Sequence, residues 1–412
     1  MPEFLQLLPP DEARTRWLNQ VRAPLSRSEA IPTADSLGRV TAVDIHAPHP
    51  LPQFDRSAVD GYAVRARDTF GASDGLPTYL TVIGEVPMGQ PTTLTLGNGE
   101  AALVHTGGML PRNADAVVML EHTQRISAHE IELLRPVAAG ENVLLAGEDV
   151  AAGAMVIPAH TLIRPAEIGG LMALGITEVQ VLQRPVVGLI SSGDEVIPAD
   201  QTPAPGQVRD INVHTLAALA QQCGASARHY GITPDQATAL RARLAQALEE
   251  CDAVAVTAGS SASTRDMTAE VIHTLGAPGV LVHGINTRPG KPTILAVCNG
   301  KAVLGLPGNP VSALTNGYLF LVPLVEHLLG LSPDRVRPVL SATLSVNLPS
   351  QAGREDWVPA RLCGNADGGW IAEPIFGKSN FIFNLVAAQG LIKIPADATG
   401  LDAGARAEVH LL

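Results

Sequence analysis

The chain has 412 residues, a formal net charge of −12, 46% hydrophobic residues and only 3% aromatics. That length exceeds one ordinary core and sets an expectation of roughly two to four domains, while the hydrophobic content excludes a disordered chain. The acidic balance excludes a general nucleic-acid binder but leaves room for a local basic pocket around a small anion.

Residues 11–22 read as a helix with Ala13, Trp17 and Val21 on one face. A strand-like stretch from Leu37 and a rigid cluster of Pro48, Pro50 and Pro52 follow. Between 54 and 139 the pattern becomes short strands, at 79–83, 101–105, 116–120 and 131–134, separated by glycine and proline. That is a β-rich domain. Residues 140–182 change texture again, with turns at Gly147 and Gly153 and then a helix. Pro165 opens the helix, Ile168, Leu171 and Met172 stripe it, and Gly175 stops it. The β-rich domain therefore reads as an insertion into a linking domain formed by 1–53 and 140–182, whose N-terminal helix is free to pack on the following domain.

From 183 to 328 strand and helix alternate. Residues 186–190 form a buried-looking strand that ends at Ser191-Ser192-Gly193, and Asn212 is placed to cap a helix that Gly224 ends. Thr233-Pro234-Asp235-Gln236 has capping-box spacing and opens a helix to Glu250, where Asp235 would favour the positive end of the dipole. A strand at 253–257 and a helix at about 267–275 come next. This alternation predicts a central three-layer α/β domain with a mainly parallel sheet, whose ligands lie beyond the carboxyl ends of the strands. Strands at 337–346, 357–362, 370–374 and 407–411 mark a C-terminal β-rich domain over 329–412.

The most informative stretch is Arg288-Pro289-Gly290-Lys291-Pro292, a strand, a Cys298-Asn299-Gly300 turn, a second strand and Pro307-Gly308-Asn309-Pro310. Asn309 is a good N-cap, Pro310 suits the first helical position, and glycine beside a helix start leaves N–H groups to face an anion. Two such turns, one carrying Arg288 and Lys291, flank one hairpin and read as a site for a phosphorylated ligand. Strand ends also collect Ser192, Gly193, Asp194 and Glu195, and a hydroxyl-rich loop with Ser260 and Ser261, on one rim. Singly, each has a plainer reading: a polar turn for Ser192-Gly193-Asp194, solvated loop for the serines, a surface charge for Lys291.

No GxxxxGKS or GxxxxGKT phosphate loop, GxGxxG after the first strand or GxSxG elbow occurs, and the twelve histidines show no metal spacing. A bound metal would be a hard cation held by aspartates and phosphate oxygens, magnesium rather than zinc. Four scattered cysteines without a CxxC pair, no signal-peptide pattern at Met1-Pro2-Glu3-Phe4 and no membrane-length apolar run predict a cytoplasmic protein without membrane or nucleic-acid partners.

Six motifs occur in order. They are Phe54-Asp55-Arg56-Ser57-Ala58-Val59-Asp60-Gly61-Tyr62-Ala63-Val64; His105-Thr106-Gly107-Gly108 with Ala114-Asp115-Ala116-Val117-Val118-Met119; Gly147-Glu148-Asp149; Ser192-Gly193-Asp194-Glu195; the turn at 288–292; and Leu306-Pro307-Gly308-Asn309-Pro310-Val311-Ser312-Ala313. Together they make essentially the whole chain resemble the molybdopterin molybdenumtransferases, bacterial relatives of the E domain of gephyrin. The resemblance implies a four-domain subunit with an elongated linking domain and a C-terminal β-barrel-like domain. It implies a homodimer whose clefts lie between the α/β domain of one subunit and the inserted domain of the other.

The implied reaction inserts molybdate into adenylylated molybdopterin, releases AMP and uses Mg2+. By matching position, the resemblance implies Asp60, Asp149, Glu195, Asp235 and Asp266 as catalytic groups, with Asp235 and Asp266 holding the metal. It implies Thr106, Lys291, Pro307, Pro310 and Ser379 as substrate contacts, joined through the convergence above by Ser192, Gly193, Ser260, Ser261, Arg288, Gly308 and Asn309. Implied partners are a second copy, a molybdopterin adenylyltransferase, and downstream cofactor carriers or acceptor enzymes.

The chain departs from the family pattern in three places. Thr257-Ala258-Gly259-Ser260-Ser261-Ala262-Ser263 replaces a glycine-richer loop, and Arg288 replaces a lysine. Gly377-Lys378-Ser379-Asn380 replaces another glycine-rich stretch, with Asn384 and Gln389 where serine and aspartate are common. Two other readings compete: a molybdopterin adenylyltransferase, whose fold resembles residues 185–325, and a catalytically inactive molybdopterin-binding scaffold.

Overall fold

The computed structural model describes residues 7–258, 262–335, 337–365 and 368–412, with the side chains of 262–266 outside that description. The chain forms two compact units, one of Met1–Glu29, Gly38–Ala42 and Val181–Leu412, the other of Ala30–Leu37 and Val43–Gln180.

In the larger unit a six-stranded sheet runs in the order Ser226–Thr233, Val186–Ser192, Ala253–Ala258, Lys301–Pro307, Ile294–Cys298, Pro278–His283. The first four strands are parallel, and Ile294–Cys298 runs antiparallel to both of its neighbours, Lys301–Pro307 and Pro278–His283. Every residue of Ala253–Ala258 is buried, as a strand covered on both faces requires. Ile190, Val254 and Val256 share a core with Leu240, Leu244 and Ile272 of the helices. Asn299 and Gly300, with φ of 54° and 86°, supply the two positive values that an Asn-Gly hairpin turn needs.

Trp17 of the helix Pro10–Leu18 is buried against this sheet, its indole N–H donating to the Ala296 carbonyl at 2.8 Å. Truncating it to alanine would cost about 3–5 kcal/mol. The helix stops earlier than expected, yet the turn that follows still buries Val21.

Five strands, Val339–Leu344, Glu355–Gly364, Trp370–Pro374, Gly390–Ile394 and Arg406–Leu411, close into a barrel. Closure follows because Glu355–Gly364 pairs with both Trp370–Pro374 and Gly390–Ile394. Ala342, Leu344, Ala360, Ala372, Ile392 and Val409 fill it. Thr287–Arg288 pairs with Glu355 and Asp356 and so fastens the barrel to the α/β part.

In the smaller unit a six-stranded sheet runs Ala116–Met119, Gly61–Val64, Glu100–Val104, Thr78–Glu85, Glu130–Leu133, Thr123–Arg125. A Cβ at Gly61 would stand 2.1 Å from the Val118 carbonyl oxygen, so only glycine lets these strands meet. The helix Pro165–Ala173 opens with a capping box between Arg164 and Glu167. Of its expected stripe, Leu171 is buried and Met172 is exposed.

Three expectations about helix starts are corrected. The strand Ser226–Thr233 runs through Thr233, which pairs with Ser192, and the helix begins only at Ala237. No capping box forms there, and Asp235 is not in a helical first turn. Asn212 is the first residue of its helix rather than its cap, and the Asp210 carboxylate accepts the Val213 N–H at 3.3 Å instead. The helix expected at 267–275 spans Ala262–His273, which draws residues 263–266 out of the loop into helical backbone.

Candidate active site

The parallel strands deliver Ser192, Thr233, Ala258 and Pro307 to one rim. Ser192 pairs with Thr233, Ser191 with Thr257, and Ala258 with Pro307. Ser192 is buried, and its hydroxyl donates to the Asp235 carboxylate at 2.9 Å. The Asp194 carboxylate accepts the Asp235 N–H at 3.2 Å. The late helix start is what leaves Asp235 in a connection where it meets Ser192. A Cβ on Gly193, φ 149°, would lie 2.7 Å from Glu195 Oε2, so the glycine lets that carboxylate fold against the turn.

Ser192, Asp194 and Asp235 present only oxygen donors, which suits a hard cation such as Mg2+ and not zinc. Among the described residues no group of three or more His, Cys, Asp and Glu side chains could hold a metal by itself. Ligand oxygens or a further carboxylate must therefore complete such a site. The side chain of Asp266, and Ser260 and Ser261 altogether, lie outside the described residues.

A cavity of about 1140 Å3 opens between the α/β part and the barrel, lined by Arg288, Lys291, Pro307, Gly308, Asn309 and Ser379 of the expected set. Arg354 and Lys378 add two cations, and Asp356 is the one acid among the described lining residues. A chain of net charge −12 thus concentrates positive charge in one concave place, as an anion site requires. Asp356 is buried and takes Arg354 Nε at 2.8 Å, with Arg288 Nη1 at 3.8 Å. Arg288 is therefore held by Asp356 as well as facing the cavity.

Asn309 occupies the N-cap position of the helix Pro310–Asn316, with Pro310 at its first turn. Its side chain does not cap: Nδ2 donates to Ser379 Oγ at 3.0 Å. The Val311 N–H donates to the Ser379 carbonyl at 2.9 Å. Of the N–H groups at this helix start that the sequence leaves to face an anion, that of Val311 is thus taken by Ser379.

In the smaller unit the Asp60 carboxylate accepts the Thr106 N–H at 2.8 Å and the Thr106 hydroxyl at 3.1 Å. These two bonds, aided by His105 nearby, hold its carboxyl below the ordinary aspartate range. Ser57 exchanges main-chain bonds with Gly107 and Gly108, and Asp55 accepts the Ala146 N–H at 2.8 Å. Motifs distant in sequence are therefore one bonded piece. Asp149 is exposed, with its N–H on the Leu51 carbonyl at 3.1 Å.

Residues 8–175 match the family model of the MoeA N-terminal region (domain I and II), and residues 341–412 that of the MoeA C-terminal region (domain IV). Between them, residues 188–327 match the model described as "Probable molybdopterin binding domain". The chain is 33% identical to the molybdopterin molybdenumtransferase of a Nostoc species, over 89% of this chain and 85% of that one. It is 31% identical to the molybdopterin molybdenumtransferase of Bacillus subtilis, over 98% and 94% of the two chains. The chain belongs to the molybdopterin molybdenumtransferase family. Its function is molybdenum transfer to molybdopterin. The crystal structure of the molybdopterin biosynthesis protein moeA from Pyrococcus horikoshii matches it with a TM-score of 0.85 at 32% identity, covering 99% of this chain and 100% of that one.

Several residues that shape the cavity escaped the sequence reading, Lys378 among them. Asn212 read as a helix cap, but its Nδ2 donates to the Gly308 carbonyl at 2.8 Å. Asn316 sits in the run after Val311 beside Ser312 and Thr315, and nothing in its spacing points to the turn at Gly290. Arg354 stands far from Arg288 in sequence, and no spacing links it to that turn.

Proposed function

We propose that the chain inserts molybdate into adenylylated molybdopterin with release of AMP, and that the cationic cavity seats the ligand's phosphates. The observation that carries this reading is the gathering of Arg288, Lys291, Arg354 and Lys378 around one cavity of an acidic chain. Lys291 is exposed there and binds phosphate oxygens, a charge-assisted contact that contributes about 1.5–3 kcal/mol. Arg354, aligned by buried Asp356, and Ser379, aligned by Asn309, complete the seat. Pro307 and Pro310 fix the backbone of the turn between them.

Glu195, packed against Gly193, orients the ligand or a water. Asp235, with Asp266, would hold Mg2+, whose charge offsets that developing on the leaving phosphate. Positioning and electrostatics, without a covalent enzyme intermediate, carry the rate. A second copy of the chain supplies Asp60, Thr106 and Asp149. Asp60 is ionised at neutral pH, and the Thr106 bonds lower its pKa further, so it acts as a fixed negative charge and not as a proton donor.

Equilibrium titration with adenylylated molybdopterin tests the seat. Lys291→Ala should weaken binding by about tenfold or more, and unaltered affinity would remove the cavity from the reaction.

A further inference from the structure

The two turns that line the cavity each lie against a buried asparagine from a helix. Asn316, with no exposed surface, donates Nδ2–H to the Ser312 carbonyl at 2.8 Å and faces the Pro289 carbonyl at 3.4 Å. A Cβ built on Gly290, φ 102°, would stand 1.6 Å from the same nitrogen. The carboxamide therefore occupies the space beside the residue that precedes Lys291. Asn212, also buried, donates to the carbonyl of Gly308 at 2.8 Å, between Pro307 and Asn309. Among the described residues neither Oδ1 has a hydrogen-bond partner, and both are shut off from solvent.

A buried acceptor left unpaired is destabilising, and asparagine is a poor helix former. Residues that break a local rule without a stability gain point to a demand from function. We propose that Asn212 and Asn316 are positioning residues of the ligand cavity, each fixing one of its two turns through a main-chain carbonyl. This rests on the reading of Lys291 as a phosphate contact. Gly290 has the freest backbone in its turn, and without Asn316 the Lys291 ammonium must be ordered by the ligand itself, which lowers affinity.

A double-mutant cycle tests this. Asn316→Ala and Asn212→Ala should each raise KM for adenylylated molybdopterin roughly tenfold with a smaller change in kcat. In a Lys291→Ala background Asn316→Ala should have less than about a twofold further effect, because the group it positions is gone. An Asn316→Ala effect of equal size with Lys291 present or absent would overturn the proposal. A silent Lys291→Ala would instead strike the cavity reading beneath it, and the proposal with it. Loss of near-ultraviolet circular dichroism in both asparagine variants would make them core groups, and that also overturns a positioning role.

Discussion

Asn309 and Ser379 are joined side chain to side chain at 3.0 Å, one from the turn after the hairpin and the other from the barrel. The bond replaces the helix cap that Asn309 would otherwise provide, and the Ser379 carbonyl takes over by accepting the Val311 N–H. Helix start and barrel thus share one polar joint, set in the wall of the cavity. Ser379→Ala keeps the main-chain bond but leaves Asn309 Nδ2 without its partner. It should lower stability to urea by about 1 kcal/mol and raise KM for the pterin substrate. A variant with unchanged KM would reduce Ser379 to a structural joint.

The Asp60–Thr106 contact sets a pH dependence. The folded pKa lies below the ordinary aspartate value, so the bond contributes fully above that value and is lost as pH falls through the folded one. Thr106→Val removes the hydroxyl bond, and NMR titration should then find the Asp60 pKa moved upward. The acid limb of kcat/KM should move the same way. An Asp60 pKa that ignores the substitution would deny the hydroxyl any part in the shift.

A second pH effect is structural and lies at the helix Pro165–Ala173. The Arg164 side chain, and after it the Arg164 N–H, hold Glu167 down to about 2 from an ordinary 4.5. The capping box therefore stabilises the unit above about pH 4.5 and is lost as pH falls toward about 2. Glu167→Gln should make acid unfolding less steep across that window while lowering stability at neutral pH. Identical acid titrations of variant and parent would contradict this.

Much of this was legible because local chemistry and tertiary demand agree. Asn299-Gly300 makes its hairpin turn, Gly175 ends its helix, and the strand ends at Ser192 and Pro307 converge as alternating elements require. The misread caps at Thr233, Asn212 and Asn309 have one cause. Thr233 has the residue type of a helix cap, but pairing with Ser192 in the ladder extends the strand through it and moves the helix start to Ala237. Asn212 and Asn309 also look like caps, and both instead reach across to another element, Gly308 and Ser379. Short-range propensity cannot register a partner 70 or 96 residues away. Arg354 and Lys378 joined the site only once the barrel closed beside the hairpin.

The proposed sharing of one site between two copies has a direct consequence. Asp60→Asn and Lys291→Ala each disable one half of the proposed composite site. Refolding the two impaired variants together, assayed well below KM, should raise activity up to about a quarter of the parent's, since half of random dimers are mixed and each holds one intact site. No recovery, with mixed dimers demonstrated, would mean that both residues serve the same subunit.

The most direct measurement follows AMP and metal-loaded cofactor together, with the protein incubated with adenylylated molybdopterin, molybdate and Mg2+. One AMP should appear for each molybdenum inserted, chelation of Mg2+ should stop both, and Asp235→Asn should suppress both without loss of the fold. Tight binding without turnover, or pterin adenylylation from ATP in its place, would contradict the proposed reaction.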